Sequence, residues 1–198
     1  MSDKRDIELL YELGALRLID RQWRRFHNTE TQNLTEHHFR VTWIALLIAK
    51  HEKVTNTDKI MKMAMVHDIS ESRTGDVDYL ARQYVIRDES KGIKDVFKNT
   101  ALEKEFVDLW HEYEDRECIE SKIVKDADNL DIDLELQEQS ARGNVLQKKW
   151  DEKRNFVGKN KLYTKTAKRL FRQIRKSDPH DWHDLSPSNR VNGGDWKK

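Results

Sequence analysis

At 198 residues, with 37 Lys and Arg against 36 Asp and Glu, the chain has the length of one ordinary domain and a formal net charge of +1. That balance excludes the overall basic field that drives non-specific binding to nucleic-acid polymers. One cysteine, Cys118, excludes an intramolecular disulfide and suits a reducing compartment. A mean hydropathy of −0.94 would fit disorder, but six Trp, five Tyr, six Phe and clear apolar periodicity speak for a packed core. With seven Gly and two Pro, the composition favours long helices with solvated outer faces. The N-terminal MSDKRDIELL lacks the layout of a signal peptide, and no apolar run approaches ~18–20 residues. The expectation is a soluble, cytoplasmic protein with no membrane contact.

In chain order, Ile7, Leu10, Leu13, Leu16 and Leu18 predict an amphipathic helix over roughly residues 4–19. A polar connection from Asp20 to Asn33 follows. Asn33 or Thr35 then caps a strongly apolar helix carrying Phe39, Val41, Trp43, Ile44 and Leu47 and ending near His51. A shorter helix starts at Thr57 and runs into His67 and Asp68, and Gly75-Asp76 reads as a turn. The stretch 77–99 is expected to be irregular. Helices resume around Leu102, from about Ile119 to Arg142 and from about Lys161 to Arg175. No run alternates long enough to make a strand, so the fold class is all-α: one helical bundle over residues 1–176, with an irregular tail over 177–198.

Chemistry concentrates in a few positions. His67-Asp68 closes an apolar helix, and an imidazole beside a carboxylate is an ordinary ligand pair for Mn, Fe, Co, Ni or Zn. His37 shares a helical face with Leu34, Val41 and Ile44, whereas His38 points about 100° away. Asp128 shares a face with Val124 and Ile132, so it is a buried carboxylate in need of a cation or donors. Asp126, beside Lys122, Asn129 and Asp133, reads instead as solvated surface. Glu71 lies one turn beyond His67-Asp68, able to face the same cavity without being a ligand.

The order His37, His67-Asp68, Asp128 resembles the H…HD…D signature of the HD-domain metal-dependent phosphohydrolases. It is similar in detail to their 5′-deoxynucleotidase branch. The matching segments are Glu36-His37-His38-Phe39, the run from His67 through Glu71 to Gly75-Asp76, and Val124-Lys125-Asp126-Ala127-Asp128. The likeness covers roughly residues 8–145. It implies an HD-domain bundle with one divalent transition metal (Co, Mn, Fe, Ni or Zn, with Mg as a further option) in its core. The implied ligands are His37, His67, Asp68 and Asp128, with Glu71 handling the proton. Arg21 and Trp23 resemble the family's phosphate-holding arginine and sugar-packing tryptophan, although Gln22 separates them here. Asp76 matches a position near the sugar and Lys125 a recurrent lysine.

The implied activity is hydrolysis of deoxynucleoside 5′-monophosphates by a homodimeric enzyme acting on a small nucleotide. Two alternatives stay open: a deoxynucleoside triphosphate triphosphohydrolase, to which Arg24, Arg25 and Arg73 could contribute, and a non-catalytic metal-stabilised nucleotide-binding module. Other conspicuous residues have plainer readings. His180 and His183 fall in the tail, His111 on an exposed helix surface, and Trp43, Trp110 and Trp150 in core or interface packing. The basic run 165–176 reads as a surface amphipathic helix.

Overall fold

A computed structural model describes residues 3–27 and 30–184. The chain is 73% helical, and the described residues contain no strand. Helix α1 (Asp3–Ala15) passes into a 3-10 turn at Leu16–Leu18. The expected connection then holds a one-turn helix, α2 (Arg24–His27). Its two arms close on each other through a single bridge between Asp20 and Asn33, with Arg21 N–H donating to the Gln32 carbonyl at 3.1 Å. This closure fixes where Arg21 can reach.

Helix α3 (Leu34–Glu52) begins at Asn33 with a reciprocal capping box to Glu36 and ends at Lys53 in the left-handed conformation. Helix α4 (Thr57–Val66), capped by Asn56, delivers His67 and Asp68 at its end, and the single turn α5 (Glu71–Thr74) follows. Gly75, at φ 74, makes the turn that a side chain would resist. The stretch expected to be irregular instead contains a 3-10 turn at Ala81–Gln83 and helix α6 (Glu89–Phe97), which buries Ile93, Val96 and Phe97. Those three positions share one face, and the surrounding charges hide the period. Asp88 caps the helix by accepting from Lys91 N–H.

Helices α7 (Glu103–Asp115) and α8 (Ile119–Ala141) match expectation. Beyond them, a 3-10 segment Val145–Trp150, α9 (Asp151–Asn160) and α10 (Lys165–Ile174) wrap α8, and α11 (Asp181–Asp184) is a last turn. The end of the expected tail, including Leu185, lies outside the described residues. Helix α8 lies along α3, with α4, α7 and α10 packed around the pair. Leu34, Val41, Ile48, Ile60, Met63, Ile123 and Leu130 are fully buried between these helices. Among the described residues no helix is long and apolar enough to cross a membrane.

Helix α8 corrects one expectation. Asp126 is not solvated surface: it is fully buried and accepts from Tyr163 N–H (2.7 Å), Thr164 N–H and the Thr164 hydroxyl (both 2.8 Å). Asp133, on the same face, is buried against Arg154 of α9, which donates from Nε at 3.0 Å and Nη2 at 2.7 Å. That polar face is covered because the segments packing on it bring their own donors. His111 is also half-buried beside Trp110, not exposed.

Candidate metal centre

His37 comes from the first turns of α3, His67 and Asp68 from the end of α4, and Asp128 from the middle of α8. The packing of these three helices brings the four side chains together. One ligand-type atom from each lies within 4.8 Å of the other three, and among the described residues this is the group able to hold a metal ion. His37 Nε2 stands 3.2 Å from His67 Nε2, 3.4 Å from Asp128 Oδ1 and 3.6 Å from Asp68 Oδ2. His67 Nε2 is 3.5 Å from Asp68 Oδ2.

The other ring nitrogens are already engaged. His67 Nδ1 lies 2.8 Å from the Ala64 carbonyl oxygen and His37 Nδ1 2.6 Å from Asp131 Oδ2. Both Nε2 atoms are therefore turned towards the two carboxylates. Two imidazoles and two carboxylates suit a divalent transition metal and leave room for further ligands, unlike a closed thiolate cage. The residues present fit the ion that the sequence implies.

Electrostatics around the group follow from its burial. Burial and Arg21 act to lower the His37 pKa, but hydrogen bonds to Asp128, Asp131 and Asp68 outweigh them and push it up to about 10. Burial lowers the pKa of His67. Burial would raise Asp68 and Asp128, yet His67, His37 and Arg21 hold the first, and Lys125 with His37 the second, well below the usual carboxylate range. Glu71 behaves oppositely: burial, Asp68 and Asp76 push its carboxyl up to about 9. Its Oε1 accepts from Arg87 at 2.9 Å, while Oε2 lies 3.7 Å from Arg21 Nη1 and has no hydrogen-bond partner.

A cleft of about 240 Å³ opens onto Asp68 and Asp128, and Arg21, Trp23, Asp76 and Lys125 all line it. Arg21 is buried, with Nη1 3.3 Å from Asp68 and Nε 3.5 Å from Asp76. Gln22 N–H donates to Asp76 at 3.0 Å, and Lys125 Nζ donates to Asp128 Oδ2 at 2.7 Å. Trp23 packs edge-on against Trp150, centroids 4.6 Å apart.

The three further arginines are committed elsewhere: Arg24 to Asp20, Arg25 to Asp78 at 3.1 Å, and Arg73 to Glu12. His180 and His183 pair with one another at 3.0 Å. Sequence reasoning missed Asp131, Arg40 and Arg87. Asp131 lies one turn beyond Asp128 on the same face and Arg40 one turn beyond His37, so helical spacing carried a signal for both.

An all-helical bundle with a buried His/Asp group at a cleft that presents Arg21 and Lys125 among carboxylates defines a class of metal-dependent hydrolytic folds, and known proteins narrow it. The HD-domain family matches residues 13–173, and the chain belongs to that family. It is an HD-domain phosphohydrolase. It is similar to 5′-deoxynucleotidase HDDC2 of Dictyostelium discoideum, 29% identical over 155 residues, covering 72% of this chain and 82% of that one. It is also similar to 5′-deoxynucleotidase ECA3034 of Pectobacterium atrosepticum, 33% identical over 146 residues, covering 67% and 73%. The PH0347 protein of Pyrococcus horikoshii superposes with a TM-score of 0.71 at 26% identity, over 86% of this chain and 98% of that one. A predicted metal-dependent phosphohydrolase from Magnetospirillum magnetotacticum shares the fold, with a TM-score of 0.69 at 20% identity over 87% and 90%.

Proposed function

We propose that the chain hydrolyses deoxynucleoside 5′-monophosphates to deoxynucleoside and phosphate, with one divalent transition metal held by His37, His67, Asp68 and Asp128. The observation that carries this reading is the four-residue donor group lying at a cleft that also presents Arg21 and Lys125. When bound, a divalent ion lowers the pKa of water and neutralises charge on phosphoryl oxygens.

The chain's own groups supply the rest. Arg21 and Lys125 take phosphate oxygens; carboxylates around each cation raise its pKa and keep it charged. Glu71, with one carboxyl oxygen unpaired, accepts a proton as the water oxygen bonds to phosphorus. The P–O5′ bond breaks and a proton returns to the leaving 5′ oxygen. Positive charge at the adjacent donor group favours the ionised carboxylate needed for the first step. Trp23 packs against the sugar and Asp76 faces it from the cleft wall.

The monophosphate is favoured over the triphosphate because Arg24, Arg25 and Arg73 are each taken by a carboxylate. A panel of dAMP, AMP and dATP, each with Mn, Co, Mg and Zn, tests the reading. Nucleoside and phosphate from dAMP are expected. Tripolyphosphate released from dATP in preference would replace the substrate, and turnover unchanged after metal stripping would remove the metal.

The same reading includes a homodimer. Exposed Leu10, Phe39, Trp43, Leu47 and Met65 are all large and apolar, and Phe39, Trp43 and Met65 border an apolar groove of about 500 Å³ between α1, α3, α4 and α7. Monomeric proteins seldom leave such a surface to water. Trp43→Glu is expected to shift sedimentation from dimer to monomer; a wild-type monomer at working concentration would end this part of the proposal.

A further inference from the structure

Helices α3 and α8 meet twice in the same manner. One turn beyond His37 and Asp128, Arg40 from α3 meets Asp131 from α8. Asp131 is fully buried. Its Oδ2 lies 2.6 Å from His37 Nδ1 and also accepts from Gln32 Nε2, while Oδ1 accepts from Arg40 Nε. Arg40 has other partners: Nη1 reaches both oxygens of Glu138 at 2.8 Å, and Nη2 reaches Glu135 at 3.2 Å. Glu138 and Glu135 take the two terminal amino groups, so Arg40 needs from Asp131 only Oδ1, at Nε, and that ion pair gives no reason for Oδ2 to stand against the histidine.

A neutral imidazole carries one N–H, and the group at one nitrogen decides which nitrogen keeps it. A carboxylate at Nδ1 keeps a proton there, so the proton that a metal displaces is the one on Nε2, the atom that faces Asp128, Asp68 and His67. It also makes the Nε2 lone pair so freed a stronger donor than a neutral acceptor would. His67 has only such a neutral acceptor, the Ala64 carbonyl. The two imidazoles are therefore unequal by construction.

We infer that Asp131, kept anionic by Arg40, is a positioning residue that fixes the tautomer of His37 and strengthens it as a metal donor, without itself entering the cleft. This rests on the proposed ligand role of His37.

Cobalt(II) is a suitable probe, with affinity read by competition against a chromophoric chelator and geometry by the visible d–d bands. Asp131→Asn keeps the shape but loses the charge. It is expected to bind Co²⁺ about 10–100-fold more weakly and to shift those bands. Glu138→Gln, which loosens Arg40 without touching His37, is expected to stay within about threefold of wild type. Affinity of Asp131→Asn within about twofold of wild type overturns the inference alone, and a wild type that takes up no Co²⁺ overturns the ligand reading as well. Should Asp131→Asn fail to fold, nitrogen-15 spectra of the zinc-loaded wild type decide: His37 Nδ1 carrying a downfield, slowly exchanging proton supports the assignment, and a bare Nδ1 overturns it.

Discussion

Glu71 is 3% exposed, with one oxygen on Arg87 and the other unpaired. Raising a carboxyl from its ordinary 4.5 to about 9 means that the folded metal-free protein favours the neutral acid. The penalty is absent below pH 4.5, grows as pH rises, and is complete above about 9. At pH 7 it amounts to about 3 kcal/mol by linkage. Glu71→Gln keeps the shape without the charge. It is expected to stabilise the metal-free protein by about 1–3 kcal/mol at pH 7 and to make no difference near pH 4. The same change should lower turnover by about 10²–10⁴-fold. Denaturant melts at both pH values check the first part; a variant less stable than wild type at each would mean the carboxylate is a stabilising anion. Stability given up at one acid and regained on its removal is the mark of a group kept for chemistry.

Helix α8 shows how far a face-by-face reading of sequence reaches. Asp128 was legible because Val124 and Ile132 share its face, and His37 because Leu34, Val41 and Ile44 share its own. Asp126 was misread because its neighbours are polar, and polarity on a helix face ordinarily means water. Here the partners are Tyr163 and Thr164 for Asp126 and Arg154 for Asp133, all more than 20 residues away in sequence, and no period in α8 announces them. Helix α6 escaped notice for a related reason, its three large buried side chains being diluted by Lys and Asp. Thr164 also caps α10 by accepting from Ala167 N–H at 3.0 Å, so Asp126 holds the residue that starts that helix. Asp126→Ala leaves three donors unmet in a dry contact and is expected to cost about 2–4 kcal/mol. Chelator titration should show metal affinity unchanged, because the contact faces away from the donor group. A loss under about 0.5 kcal/mol would mean that α10 docks by its apolar face alone.

Across the whole molecule, the donor group joins three helices that already share a large apolar core. Its charges are also balanced before any ion arrives. Asp68 and Asp128 have Arg21 at 3.3 Å and Lys125 at 2.7 Å, and His37 carries a proton up to about pH 10. A bound ion would replace some of these pairings instead of creating the fold, unlike metal sites in domains too small for a core. Chelation is therefore expected to leave helicity at 222 nm intact and to remove only the stabilisation that mass action adds. At a metal concentration of about 100 times Kd that is roughly 2.7 kcal/mol, or about 5–11 °C in Tm for a domain of this size. The increment should grow with the logarithm of free metal concentration. Collapse of the helical signal on chelation would show instead that α3, α4 and α8 cannot hold their packing around four uncompensated ligands.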